Sequence, residues 1–139
     1  MKWKLEKLSV ESKPIKSFRD LIVYQKSYDA MIKVADEILG CLPEKEKFDL
    51  KDQLSRSTKS IPRLIAEGYA KRHQKLGFKK YLDDAMAECN ETIVGIEQAR
   101  DLYFRQRANK IASCDHLVKE YDVIGRQLYR LAEKWTNFH

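Results

Sequence analysis

The densest chemistry in this sequence is cationic. Residues 51–80 carry nine Lys/Arg against Asp52 and Glu67, a net of +7, while the whole 139-residue chain carries +6. The other 109 residues therefore sum to −1. Arg56, Lys59 and Arg63 recur at helical spacing, so one side of a helix presents all three at about 100° per residue. Lys71, Arg72, Lys75, Lys79 and Lys80 cluster around the turn that should follow. Convergent cations of this kind neutralise phosphates, and counterion release makes such binding salt-sensitive. These eight residues are the candidate nucleic-acid contacts, for RNA or DNA. Tyr69 and His73 stand among them, but two rings do not make a reading platform. No helix-turn-helix signature or RNA-binding sheet motif occurs, so weak sequence discrimination is expected. The competing reading is a solvated basic face, or one paired with acidic residues of a neighbouring subunit.

Other chemistries find less support. A di-iron bundle would use Glu-x-x-His pairs on facing helices, yet Ala70, Ser113 and Thr136 stand three residues before His73, His116 and His139. Asp84, Glu88 and Glu91 share a face at i, i+4 and i+7, and without histidines they read as surface or subunit-pairing charges. Cys41, Cys89 and Cys114 are far apart with no Cys-x-x-Cys spacing, which suits neither a disulfide framework nor zinc. They read as small buried hydrophobes on apolar helical positions. There is no glycine-rich phosphate loop, no nucleophile elbow and no His-Glu-x-x-His. The reading is a non-enzymatic protein with no metal and no cofactor.

Composition bounds the scaffold. A chain of 139 residues is one domain. Charged residues at 35% and hydrophobic residues at 43% allow a core beneath a heavily charged exterior, and five glycines and three prolines are too few for an all-β fold. No apolar run approaches the roughly 18 residues of a membrane span, and the N-terminus lacks the apolar segment of a secretory signal. A cytoplasmic protein is expected.

Four helices account for the periodicity. Residues 1–16 read as a flexible basic arm ending after Pro14, and residues 17–139 as the folded domain. Ser17 or Asp20 caps the first helix, whose seam is Leu21, Tyr24, Tyr28, Met31, Ala35, Ile38 and Leu42. Gly40 and Pro43 stop it. The second helix starts near Glu44 and buries Leu50, Leu54, Ile61, Leu64, Ile65 and Gly68, opposite the basic stripe. Pro62 interrupts it, removing an amide donor and crowding the Thr58 carbonyl at a cost of about 3 kcal/mol, so a bend is expected there. Glu67 is placed for a structural hydrogen bond near that bend. The third seam is Phe78, Leu82, Ala85, Cys89, Thr92, Ile96, Ala99 and Tyr103. After a polar break over 105–110, the fourth is Ile111, Cys114, Val118, Tyr121, Ile124, Leu128, Leu131 and Trp135. Short connections favour antiparallel neighbours. The expected fold is all-α, an up-down-up-down four-helix bundle with a proline-bent second helix. The aromatics exceed what one small bundle can bury, and aromatic area is favoured at subunit interfaces.

Particular motifs carry a family resemblance. Phe18-Arg-Asp-Leu-Ile-Val-Tyr-Gln-Lys26, Leu54-Ser-Arg-Ser-Thr-Lys-Ser-Ile-Pro62, Ile65-Ala-Glu-Gly68 and Phe78-Lys-Lys-Tyr-Leu82 resemble the four helix bundle protein family. Its members include proteins encoded in intervening sequences of large-subunit ribosomal RNA genes. They also include relatives of the accessory variability protein (Avd) of diversity-generating retroelements. The matching region spans roughly residues 18–105. The resemblance implies a four-helix bundle assembled as a ring-like homopentamer. Its retroelement branch implies binding to a reverse transcriptase and to nucleic acid; the alternative is a ring-forming structural or adaptor protein with no nucleic-acid ligand. The chain departs from the usual pattern at Tyr24, where tryptophan is common, at Leu64, where asparagine is frequent, and at Glu88-Cys89, where Ser-Leu is more usual.

Overall fold

A computed structural model describes residues 14–138. Residues 1–13 of the expected N-terminal arm lie outside the described residues, and Pro14, Ile15 and Lys16 precede the first helical turn. Four α-helices follow: α1 (Ile22–Glu37), α2 (Leu50–Ala70), α3 (Gly77–Tyr103) and α4 (Ala108–Phe138). Each packs on its neighbour in sequence, and α1 packs on α4 to close an antiparallel bundle. No helix among the described residues is long and apolar enough to cross a membrane.

The expected cap is present but closes a different element. The Ser17 Oγ accepts from the Arg19 amide at 3.1 Å, and Asp20 accepts from the Ser17 amide at 3.1 Å. This capping box closes a 3-10 turn, Phe18–Asp20, that precedes α1. The seam of α1 keeps its expected ends, Leu21, Ile38 and Leu42, but its middle is displaced by one residue. Val23, Ser27, Ala30, Val34 and Ile38 are buried, while Tyr28 is 45% exposed and Tyr24 and Met31 are half-buried. Both sets repeat every three or four residues, so periodicity could not separate them. Size does: Ser27 and Ala30 let α1 approach the bundle where tyrosines would hold it away. The buried Ser27 hydroxyl donates to the Tyr24 carbonyl at 2.8 Å, so its burial leaves nothing unsatisfied.

The second helix begins later than expected. Glu44–Glu46 forms a separate 3-10 turn, and α2 starts at Leu50. It then runs unbroken through Pro62, whose ring is buried. The ring's apolar burial offsets part of the lost backbone bond. One turn earlier, the Thr58 hydroxyl donates to the Leu54 carbonyl at 2.7 Å. Leu64 is only half-buried, whereas Ser57, Thr58 and Tyr69 join the buried set.

The third helix follows expectation closely. Phe78, Leu82, Ala85, Cys89, Thr92, Ile96 and Ala99 are all buried, with Tyr103 half-buried at the end. In α4 the buried line is Cys114, Leu117, Tyr121, Ile124, Leu128 and Ala132; Ile111, Val118, Leu131 and Trp135 flank it half-buried. Leu117 and Ala132 stand outside the expected seam. Trp135 packs edge-on against Phe78 at 5.0 Å and Phe78 against Tyr69 at 6.1 Å, which seals the end of the bundle beside the α2–α3 turn. Tyr103 donates to Glu46 at the other end. Cys89 and Cys114 are buried, but Cys41 is half-buried in a 3-10 turn, Leu39–Cys41, not on a helix face. Burial pushes the Cys89 thiol up to about 12 and Cys114 to about 11, so neither offers a thiolate near neutrality.

Candidate nucleic-acid interface

The basic stripe exists because α2 is amphipathic. Leu54, Ile61 and Ile65 are buried, so Arg56, Lys59 and Arg63, about half a turn away around the axis, are exposed. Lys71, Arg72 and Lys75 continue the positive charge round the α2–α3 turn, and Lys79 and Lys80 stand in the first turn of α3. The last residue of that turn, Leu76, holds a left-handed backbone at φ 60° and is 57% exposed. A branched residue there carries strain that glycine would not.

The eight residues fall into two groups. Four are engaged. Arg56 pairs with Asp52 at 3.2 Å and Lys79 with Asp83 at 2.6 Å, both across one helical turn. Lys71 donates to the Tyr81 hydroxyl at 2.8 Å, which raises the lysine's affinity for its proton. Arg72 lies 4.1 Å over the Tyr69 ring and donates to the Tyr69 carbonyl at 2.8 Å. Its own carbonyl accepts from the Trp135 indole at 3.4 Å, so Arg72 helps fasten the turn to α4. The other four, Lys59, Arg63, Lys75 and Lys80, form no ion pair among the described residues. Exposed ion pairs across one turn are worth only about 0.3–0.5 kcal/mol, so Arg56 and Lys79 can exchange partners readily.

The structure strings these residues along the outer side of α2, round the α2–α3 turn and into the first turn of α3. Grooves of about 380, 430 and 300 Å³ are lined by other side chains. A line of largely exposed cations suits a polyanion's backbone, not a small enclosed ligand. Its two flanks differ. On the α3 side lie Asp84, Glu88 and Glu91, at the i, i+4 and i+7 spacing noted above. Glu88 is half-buried, and burial first, then its acidic neighbours Glu91 and Asp84, hold its carboxyl above the ordinary glutamate range; Arg56 opposes that shift. Arg56 is thus within the field of the acidic ladder, a proximity that sequence spacing within one helix could not reveal. On α1 and the turn before it, both packed on α2, stands an aromatic row, Phe18, Tyr24 and Tyr28.

Glu67 is exposed at the C-terminal end of the ridge and acts on Lys71 through its charge. Among the described residues no group of three His, Cys, Asp or Glu is placed to hold a metal ion. A second charged cluster was missed in the sequence. Lys33 and His116 both approach the same oxygen of Glu120, at 2.8 and 2.9 Å, in the 380 Å³ groove between α1 and α4. Its members are 87 residues apart in the case of Lys33 and Glu120, so no local pattern announces it.

The family model described as the 23S rRNA-intervening sequence protein matches residues 19–130. The match begins in the turn before α1 and ends inside α4, so it spans the bundle just described. No curated protein matches the chain. The chain belongs to the 23S rRNA-intervening sequence protein family, in agreement with the resemblance carried by its motifs. The family is not known as an enzymatic one.

Proposed function

We propose that this member of the family is a non-enzymatic, nucleic-acid-binding accessory protein that works as an oligomer. The observation that carries the reading is the α2 ridge, where Lys59 and Arg63 stand exposed without an ion pair among the described residues. Desolvating such cations against phosphate costs no existing salt bridge, and each releases a counterion from the polyanion. Lys75 and Lys80 extend the same field round the turn. Self-association multiplies that field by repeating the ridge. Val94 and Leu102, 51% and 60% exposed on α3, support a contact between copies, and the family resemblance, its retroelement branch included, implies a homopentameric ring. The same branch implies a reverse transcriptase as a further partner, beside which the ridges would hold template or product. The second reading, a ring-forming adaptor without a nucleic-acid ligand, rests on those exposed apolar residues alone.

A gel-shift titration across salt separates the two. The ridge reading expects binding that falls steeply as salt rises, and the Arg56→Gln, Lys59→Gln, Arg63→Gln triple variant weakens it with the assembly mass unchanged. No shift at low salt leaves the adaptor reading in its place. A stable monomer at micromolar concentration overturns the ring.

A further inference from the structure

We infer that the α1–α2 face is a stacking platform for single-stranded nucleic acid, with phosphates on Lys59 and Arg63 and an unpaired base on Tyr28. The inference rests on the ridge reading and goes beyond it by naming the strand's path and class.

Three observations define the face. The first is the aromatic row. Phe18 and Tyr24 meet edge to face at 4.9 Å, and Tyr24 and Tyr28 follow at 6.0 Å with their rings tilted by 38°. Tyr28 ends the row and is 45% exposed, a large area for a ring that already has one aromatic neighbour. The second is the row's position. Lys26, Asp29 and Lys33 line the groove toward α4, and Ala30 and Val34 point into the core. At about 100° per residue, Tyr24 and Tyr28 occupy the remaining flank, toward α2. The turn carrying Phe18 packs on α2, which places the start of the row on the same side. Because α1 and α2 run antiparallel, the middle of α1 near Tyr28 is level with the middle of α2, where Lys59 and Arg63 stand.

The third observation is the asymmetry of the ridge. Asp84, Glu88 and Glu91 bound it on the α3 side, where a phosphate backbone is repelled. A polyanion lying on Lys59 and Arg63 is therefore displaced toward α1, and its bases then meet the tyrosines. Stacking on an aromatic face is open to every base but requires that the base be unpaired. A duplex buries its base faces in its own stack and would use only the cations. The composite face thus discriminates between single strand and duplex without reading sequence.

The test is fluorescence anisotropy on the full-length chain with labelled oligo-uridine, oligo-thymidine and a DNA duplex of equal length. The wild type should bind either single strand more tightly than the duplex. Tyr28→Ala should weaken single-strand binding about tenfold, the weight of one stacked base, and leave duplex binding unchanged. Tyr28→Phe should retain the wild-type affinity, since the ring and not the hydroxyl is used. Equal losses for single strand and duplex, or a Tyr28→Phe variant as weak as Tyr28→Ala, would overturn the platform while leaving the ridge intact. A change in assembly mass on Tyr28→Ala would assign the face to a second copy of the chain and overturn it likewise. Absence of binding to every probe at low salt overturns both the platform and the ridge. Tyr28 is an exposed helical position, so alanine there keeps the fold, which circular dichroism verifies.

Discussion

The two seams of this bundle that flank the functional face are built on opposite principles. Between α2 and α3 the helices touch through missing side chains. A Cβ on Gly68 would lie 2.7 Å from the Tyr81 Cβ and 3.0 Å from Phe78, and one on Gly95 would lie 2.7 Å from Leu54. A buried hydroxyl pair bridges the same seam, Thr92 donating to Ser57 at 2.8 Å. Between α1 and α4 a groove of about 380 Å³ separates the helices, crossed by the Lys33–Glu120 pair, whose side chains are 44% and 27% exposed. The tight seam fixes the ridge against its acidic flank. The loose seam leaves α1 held mainly by small residues and Val34 and Ile38. This fold has no room for added volume where the α2 and α3 backbones approach, whereas the α1–α4 groove leaves space.

Alanine at two glycines tests this most sharply. Gly68→Ala should destabilise the protein by about 1–3 kcal/mol, the usual cost of overpacking, because Tyr81 Cβ can move only with α3. Gly125→Ala should stabilise it by about 0.5–1 kcal/mol through helix propensity, since its new Cβ meets only Cys89 at 4.0 Å. Urea denaturation measures both; equal signs would show that close approach at Gly68 does not set the cost. The hydroxyl pair comes next. Ser57→Ala strands the buried Thr92 hydroxyl and should cost about 1–2 kcal/mol. Thr92→Val should cost less, because Ser57 keeps the Leu54 carbonyl as an acceptor at 3.4 Å. A reversal of that order would show that the pair is bonded the other way round. The smallest effect is expected in the loose seam. Lys33→Met should change stability by less than about 1 kcal/mol. The bond to Glu120 raises the Lys33 pKa above its ordinary 10.5, so the contribution made through Lys33 is present at neutral pH and is lost as pH rises beyond that value. A larger loss at pH 7 would mean that the groove closes in solution.

Tyr121 offers a related contrast within the core. Its hydroxyl is buried with no hydrogen-bond partner among the described residues, and burial raises its pKa. Its position was legible as an apolar seam residue, whereas its lack of an acceptor was not.

Much of the scaffold was legible because it is local. The spacing of Phe78 through Ala99 gave α3 its buried face, and the basic stripe of α2 followed from the apolar one. The motifs around Ile65-Ala-Glu-Gly68 led to the family. The phase of α1 was not legible. Tyr24, Tyr28 and Met31 have the same period as Val23, Ser27, Ala30 and Val34, and period alone does not choose between them. Nor could local pattern say that Arg72 folds back on Tyr69 while Lys59 and Arg63 stay unpaired, because partners are set by what the neighbouring helix and turn bring near.

Local pattern alone specifies four amphipathic helices, their order, and the concentration of positive charge in residues 51–80. These are properties of periodicity and composition, which act over one or two helical turns. Packing sets which residues in the middle of α1 are buried, where the acidic ladder of α3 meets Arg56, and how Phe18, Tyr24 and Tyr28 line up in one row. Those outcomes depend on how closely two backbones can approach, and Ser27, Ala30, Gly68 and Gly95 set that distance by what their side chains lack.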